Sequence, residues 1–312
     1  MSESWSTSNE VPGIREISVC IATHLRPDGL GHLLTSLVDQ RGAPPFEVIV
    51  VDNDAARSGE RVAAQFRDRL AVSYLVEPIR GIARTRNRAV AAARTRFLAF
   101  IDDDEWASPQ WLAVHAQMAN ASGADAVIGP VKRVFADKVP HYIQAFFNSP
   151  LQKDGAIVLW YDCGAGNAFI RRDALPDSRA PFSSRFDLTG GEDAHLFKQM
   201  IDGGARCIAA LDAVVFEYRP LDRANLRWVV RRSVRNGDTL AEIEWDRNDW
   251  KRTLRRTLKA GANAMHEVTR ISSALWNQDH LSATRHLVVA CMEIGKILHV
   301  IGIRVEEYRK HP

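Results

Sequence analysis

Residues 97–105, FLAFIDDDE, limit the fold most tightly: five apolar residues run straight into four consecutive carboxylates. An apolar run that short, ended by a turn signal, suits a strand covered on both faces, as in a parallel sheet. Four like charges at its end repel one another, and something must offset that repulsion. One arrangement is a divalent metal holding a phosphorylated ligand, because hard oxygen donors suit magnesium or manganese. The other is a solvated acidic turn, with Ser108-Pro109 capping the helix that follows. The stretch alone does not choose between them.

The same design recurs upstream. ISVCIAT (17–23) reads as a strand, and after the turn HLRPDG a helix carries Leu30, Leu33, Leu34, Leu37 and Val38 at helical spacing. FEVIVV (46–51) is the next strand and it too runs into acid, at Asp52, Asn53 and Asp54. A helix is expected over 59–70, a strand over 72–77, and a further helix in RGIARTRNRAVAAART after Pro78. Strands alternating with helices imply a doubly wound α/β layer. Such sheets bind ligands outside the carboxyl ends of their strands, where both acidic clusters fall. Residues 80–96 supply the opposite charge through Arg80, Arg84, Arg86, Arg88, Arg94 and Arg96. Arginines near a helix N-terminus suit a diphosphate. For any single arginine, a solvated basic face is the plainer alternative.

These runs, ISVCIATHLRP, VIVVDN, RGIARTRN and FLAFIDDDEW, resemble the nucleotide-sugar half of family 2 glycosyltransferases, and the likeness covers roughly residues 16–235. The resemblance implies a GT-A fold: a nucleotide-binding mixed sheet flanked by helices, here with a C-terminal helical extension. It also implies transfer of a sugar from a UDP-sugar donor with a divalent cation, manganese or magnesium. By that likeness Asp52 sits near the uracil and Asp102 near the ribose or uridine. Asp104, with Asp102, lies on the metal, and Asp103 and Glu105 are in support, Asp103 on the nucleotide side. Thr23 and Arg26-Pro27 match the turn bordering the nucleotide, and Arg86-Asn87 match the helix beside it. Ala22 stands where the family usually has proline.

Further along, residues 109–120 read as a helix, with His115 as a packed histidine on its apolar face. Residues 125–135 read as a strand interrupted by Gly129-Pro130, an edge or a bulge. The irregular stretch 136–160 and its flank carry Tyr142, Phe146, Phe147, Trp160 and Tyr161, either a sugar-stacking platform or a loop packed onto the core. CGAGNAFIRRDAL (163–175) allows close backbone approach at Gly164 and Gly166. The resemblance places Gly166 and Asn167 against the donor. In FDLTGGEDAHLF, Glu192-Asp193 open a helix; acids there are ordinary capping chemistry, but one carboxylate could also take the proton of an acceptor hydroxyl. The family's acidic pair matches here, with Asp193 as base and Glu192 holding the acceptor or the loop. Residues 205–220 read as two short strands, and Glu217 stands where some relatives have a metal-ligating histidine. Together with LRWVVRRSVRNG this resembles bacterial exopolysaccharide glycosyltransferases of the succinoglycan-assembly type.

Beyond residue 220 the chain reads as helical and basic, with Trp228, Trp245 and Trp250 among the arginines. Arginine with tryptophan suits peripheral contact with an anionic membrane surface, where lipid-linked acceptors are found; solvated helix faces are the alternative. No recognition motif supports nucleic acid, and the net charge of +3 is too small to argue for it. A more apolar helix is expected over 286–305. No uncharged apolar run approaches the roughly 20 residues of a spanning helix. The first residues lack a secretory pattern. Four scattered cysteines, Cys20, Cys163, Cys207 and Cys291, suit buried thiols in a reducing compartment. The expectation is a cytoplasmic enzyme, at most peripheral on the cytoplasmic face of the membrane. Its expected parts are a flexible tail (1–15), a catalytic domain (16–220) and a helical extension (221–312). It would be an inverting, metal-dependent hexosyltransferase from a UDP-sugar to a glycan or lipid-linked acceptor in bacterial surface polysaccharide synthesis. The competing classes are a nucleotidyltransferase, disfavoured by the absence of a glycine-rich basic loop after the first strand, and a non-catalytic membrane-docked assembly subunit.

Overall fold

The apolar runs pair side by side, as strands buried on both faces must. A computed structural model describes residues 16–135, 138–147, 150–187, 189–245 and 249–304; the expected tail, 1–15, lies outside them. β1 (Ile17–Thr23), α1 (Pro27–Val38), β2 (Phe46–Asp52), α2 (Glu60–Ala64), β3 (Val72–Val76), α3 (Ile82–Ala92) and β4 (Phe97–Ile101) follow the alternating pattern. α2 is shorter than the expected helix over 59–70, and the chain continues from it in turns.

After β4 the path differs from the sequence expectation. A short strand, β5 (Glu105–Ala107), precedes α4 (Trp111–Ser122). Ser108 does not cap α4: the residue before the helix is Gln110, with no side-chain cap, and the Ser108 hydroxyl is buried without a partner among the described residues. The Gly129-Pro130 break is a change of sheet, with β6 (Ala126–Ile128) in one and β7 (Val131–Phe135) in another. Then come α5 (His141–Gln144), β8 (Asn167–Arg171), α6 (Glu192–Asp202), β9 (Cys207–Ala209), β10 (Val215–Arg219), α7 (Leu226–Glu244), α8 (Trp250–Trp276) and α9 (His280–Val300).

The larger sheet has seven strands in the order β3-β2-β1-β4-β8-β6-β9, and β5-β10-β7 form a three-stranded sheet. Alternate residues of the central strands enter separate cores. Ile17, Val19 and Ile21 pack with Leu30, Leu33, Leu34 and Leu37 of α1, while Cys20, Ile49 and Phe100 pack with Val90 of α3 and Leu196, Phe197 and Met200 of α6. This two-sided burial explains the near-continuous apolar runs. All four cysteines are buried free thiols.

Register creates the functional edge. β1, β2 and β4 are parallel; Thr23 and Asp52 finish level with each other, and β4, whose Phe100 pairs with Cys20, ends just short of them so that its acidic run lies alongside. β8 runs antiparallel to β4 and pairs Asn167 with Ile101, which sets Gly166 beside Asp102. In the smaller sheet Glu217 pairs across with Glu105.

One buried side chain ties this edge together. Asn167 Oδ1 accepts from Trp111 Nε1 at 2.8 Å and lies 2.9 Å from His115 Nε2, while its Nδ2 donates to the carbonyls of Pro130 and Ala213 at 3.0 and 2.7 Å. Pro130 and Ala213 stand where the chain leaves one sheet for the other. His115 is fully buried, and burial pushes its pKa down to about 4, so it packs as a neutral ring. Removing the amide strands several buried polar groups at about 1–3 kcal/mol each before relaxation. Asn167→Ala should therefore lower the unfolding free energy by roughly 3–5 kcal/mol in urea titrations. A loss below about 1 kcal/mol would show that the network does not pin the two sheets.

Candidate active site

The acidic strand end is held by the turn that follows β1. Asp103 is buried and accepts from Thr23 Oγ1 at 2.9 Å and the His24 backbone N–H at 3.3 Å. Arg26 Nη1 bridges Asp103 Oδ1 at 2.9 Å and Asp104 Oδ2 at 2.8 Å. Burial pushes the Asp103 carboxyl up to about 6 against the pull of Arg26. Glu105, also buried, accepts the Asp102 N–H at 3.0 Å. Burial, then the neighbouring Asp102 and Glu217 charges, raise its carboxyl well above the ordinary glutamate range. Gly166 is required here, since a Cβ would sit 2.9 Å from a Glu105 carboxylate oxygen. Asp102 and Asp104 keep more exposure, with side chains 38% and 33% accessible.

Arg86, buried in α3, joins this edge to the second acidic motif. Its Nη2 donates to Asp102 Oδ1 at 2.7 Å and its Nη1 to Glu192 Oε1. Glu192 is buried, and its Oε2 has no partner among the described residues. Burial pushes its carboxyl up to about 7, opposed by Arg86 and assisted by Asp193. Asp193, the next residue, lines the cleft with Gly164 and Gly166, and its Oδ2 accepts the Ala165 N–H at 3.4 Å. The turn launching this helix depends on Gly191, whose φ of +100° disfavours other residues and where a Cβ would collide with the Thr239 side chain of α7. α7 is thus seated on the turn that aims Asp193.

A cleft of about 840 Å³ gathers Thr23, Arg26, Arg86, Asp102, Asp103, Asp104, Gly166, Asn167 and Asp193. Three expected residues do not line it. Asp52 is fully buried and accepts from Gly59 N at 2.7 Å, Tyr74 Oη at 2.6 Å and Asp54 N at 3.0 Å, so it shapes the loop while Asn53 faces the cleft. Asn87 is spent on both backbone groups of Phe182, at 2.7 and 2.9 Å. Glu192 is buried and paired with Arg86. Asn167 reaches the cleft wall, but its amide is engaged by the network above.

Sequence reasoning offers Arg231, Arg232 or Arg235 to a donor or acceptor diphosphate, and of the other wall it found only Arg232. Arg133, Arg219, Arg223, Trp228, Arg232 and Asn236 line the same cleft, joined by Val288 and Met292 of α9. The available signal was the Glu-x-Arg alternation of 217–219, which places both side chains on one strand face. Among the loop aromatics, Phe146 and Phe147 pack with Trp228, and both Phe146 and the 55% exposed Tyr161 line the cleft. Glu217 accepts from Arg133 Nε at 3.0 Å and pairs with Arg219 Nη2 at 2.5 Å, so it anchors arginines.

Among the described residues, no three His, Cys, Asp or Glu side chains converge as a protein-only metal site. Asp102 and Asp104 instead form a hard, two-carboxylate set open to the cleft. That set fits a magnesium-type ion, which takes one or two carboxylates and completes its shell with water and substrate phosphate.

Arg86 gives a test of this geometry. A buried carboxylate deprived of its partner typically destabilises a protein by about 3–5 kcal/mol. Glu192 is raised above its unfolded value, so folding loses stability as pH climbs from about 4.5 towards about 7. Without Arg86 the carboxyl moves higher still, and the decline continues further. Arg86→Ala should therefore destabilise the protein more at pH 8 than at pH 6 in denaturant titrations. An equal loss at both values would contradict the pairing.

The profile of the Glycosyl transferase family 2 matches residues 18–178. The chain is 30% identical over 302 residues to the "Succinoglycan biosynthesis protein ExoM" of Rhizobium meliloti, covering 94% of this chain and 95% of that one. Its fold is similar to crystal structures of S. aureus TarS 1-349, with a TM-score of 0.56 at 17% identity over 87% of this chain and 90% of that one. The same TarS fragment in complex with UDP-GlcNAc gives a TM-score of 0.55 at 17% identity, with the same coverage. The mixed sheet with flanking helices is of the GT-A type, and the chain belongs to glycosyl transferase family 2.

Proposed function

We propose that the protein is an inverting glycosyltransferase, dependent on a divalent cation. It would move a hexose from a UDP-sugar to a glycan or lipid-linked acceptor in bacterial surface polysaccharide synthesis. The observation carrying this reading is that Asp193 and the Asp102–Asp104 strand end line one cleft and are connected through Arg86 and Glu192. Similarity to ExoM, named for succinoglycan biosynthesis, and to TarS structures holding UDP or UDP-GlcNAc, supports the donor class and the setting.

In this reading Thr23, His24 and Asn53 border the base, and Asp102 and Asp103 the ribose side. Asp104, with Asp102, would hold magnesium or manganese, which supplies positive charge to the leaving diphosphate. Asp193 takes the acceptor hydroxyl proton while the acceptor oxygen bonds to the sugar's anomeric carbon. The bond from that carbon to the β-phosphate oxygen breaks, and its electron pair leaves with UDP. Attack from the face opposite the leaving group inverts the centre. Glu192 acts as a positioning residue through Arg86. The catalytic unit would span 16–220, with 221–312 as an extension that closes the acceptor side.

Membrane contact belongs to the proposal as well. α8 exposes Trp250, Leu254, Leu258, Met265 and Trp276, with Lys251 and Arg255 beside them, a mixture suited to an anionic lipid surface. No helix among the described residues is long and apolar enough to cross a membrane.

A thermal-shift panel of nucleotide sugars, with and without manganese, should identify the donor, because a bound donor raises apparent stability by mass action. With that donor, Asp193→Asn should lower kcat by about 10²–10⁴-fold and leave UDP affinity within a few fold of wild type. Asp104→Asn should abolish the manganese-dependent part of UDP binding. Unchanged transfer in both variants would rule out this mechanism.

A further inference from the structure

α8 is turned inside out relative to an ordinary surface helix. A helix that packs on a protein normally sends its large apolar side chains inward and its polar ones to water. The buried side chains of α8 are two alanines, Ala260 and Ala274, and the helix packs chiefly on α9. Its large apolar side chains point outward instead: Met265 is 73% and Trp276 90% exposed. Leu254, Leu258, Met265, Val268 and Leu275 follow alternating steps of four and three residues, with Gly261 and Ser272 at the two intervening positions. On a helix of this pitch those five, with Trp250 and Trp276 at the ends, share one sector about 100° wide. Lys251, Arg252, Arg255, Lys259 and Arg270 occupy the neighbouring sector, and all five are exposed. The helix carries six Lys and Arg residues against one carboxylate, Glu267, which lies 2.6 Å from His286 Nδ1 of α9.

An exposed apolar stripe of this length marks an interaction surface, and two occupants match its geometry. A four-three seam is what a second copy of α8 would use in a coiled coil. Pairing two copies brings two cationic sectors together, however, and the one carboxylate of the helix is already taken by His286. Gly261 and Ser272 would also leave gaps in that seam. An anionic bilayer complements the same surface. Its phosphates meet the cationic sector, and its acyl chains fill against the stripe without needing matched side chains. Tryptophan at each end suits the boundary between the two. Leu, Met and Trp on one side and Lys and Arg beside them is the pattern of a helix lying in a membrane interface.

We propose that α8 lies in the plane of an anionic bilayer surface, with its Leu254-to-Leu275 stripe at the acyl boundary and its Lys251-to-Arg270 sector among the lipid phosphates. Docking of this kind deepens the membrane contact read above by fixing the helix, its face and the lipid charge, and it is independent of the donor and the reaction. α9, which carries Val288 and Met292 on the cleft wall, then lies between the bilayer and the cleft.

Sedimentation of the full chain with vesicles tests it. The vesicles are phosphatidylcholine alone, or an equal mixture of phosphatidylcholine and phosphatidylglycerol, each at low and high salt. Wild type should partition onto the mixed vesicles, more weakly onto phosphatidylcholine, and lose the difference at high salt. Leu258→Asp combined with Met265→Asp should lower partitioning onto mixed vesicles about tenfold or more. Arg255→Gln combined with Lys259→Gln should lower it about tenfold or more on mixed vesicles and leave phosphatidylcholine binding unchanged. All four side chains are outside the cleft, so UDP affinity with manganese should match wild type in both variants, which also shows that they are folded. Wild type that ignores mixed vesicles, or folded variants that bind them as wild type does, would overturn the docking and leave the glycosyltransferase reading intact. A wild-type dimer in sedimentation equilibrium that Leu258→Asp with Met265→Asp dissolves, with no vesicle binding, would assign the stripe to a second copy and overturn it as well. Vesicle binding as expected without any UDP binding would uphold the docking and count against the reaction alone.

Discussion

Everything at the functional edge depends on how one buried guanidinium divides its hydrogen bonds. Arg86 donates to Asp102, at the end of β4, and to Glu192, at the start of α6. These carboxylates lie far apart in the chain and, without a shared cation, would repel each other. Arg26 performs the same service for Asp103 and Asp104. The acidic cluster is therefore neither a bare metal cage nor a solvated turn. Two of its carboxylates are buried and committed to the scaffold, and two remain partly open to ligand. Burying charge on this scale is weak evidence of stability, and its value here lies in fixing where the open carboxylates point.

The central sheet was readable because its runs are short, apolar and alternate with helical patterns. The rule that ligands bind at strand C-terminal ends then points to the cleft from the sequence alone. Side-chain direction was not readable. Asp52 and Asn87 stand in segments that match the nucleotide-binding pattern, yet both turn inward to satisfy backbone groups of neighbouring loops. Such choices depend on partners such as Gly59 and Phe182, which local periodicity cannot register. The small second sheet escaped for a similar reason: β5 has three residues, and β7 is hidden behind a Gly-Pro break. Without that sheet Glu217 looked like a possible metal ligand, whereas its strand neighbours show it to be a counter-ion for arginines.

In the sequence the C-terminal helices read as a basic, tryptophan-bearing extension suited to an anionic membrane surface. In the structure α7 presses Thr239 against the Gly191 turn, and α7 and α9 contribute Trp228, Arg232, Val288 and Met292 to the cleft. His299 of α9 lies 2.8 Å from Asp238 of α7, a buried contact that fixes the two helices together. A change in these helices would thus be felt at Asp193 without any contact to substrate. In this chain the C-terminal helices contribute part of the wall of the cleft that also holds the acidic strand end.

The central claim is that the acidic strand end and Asp193 serve one reaction in one cleft. A crystal structure with an intact UDP-sugar and manganese tests it most directly. The account predicts the base beside Thr23 and Asn53, the diphosphate at Asp104, and the anomeric carbon open towards the Asp193 carboxylate. A nucleotide seated elsewhere, or a sugar turned away from Asp193, would contradict it.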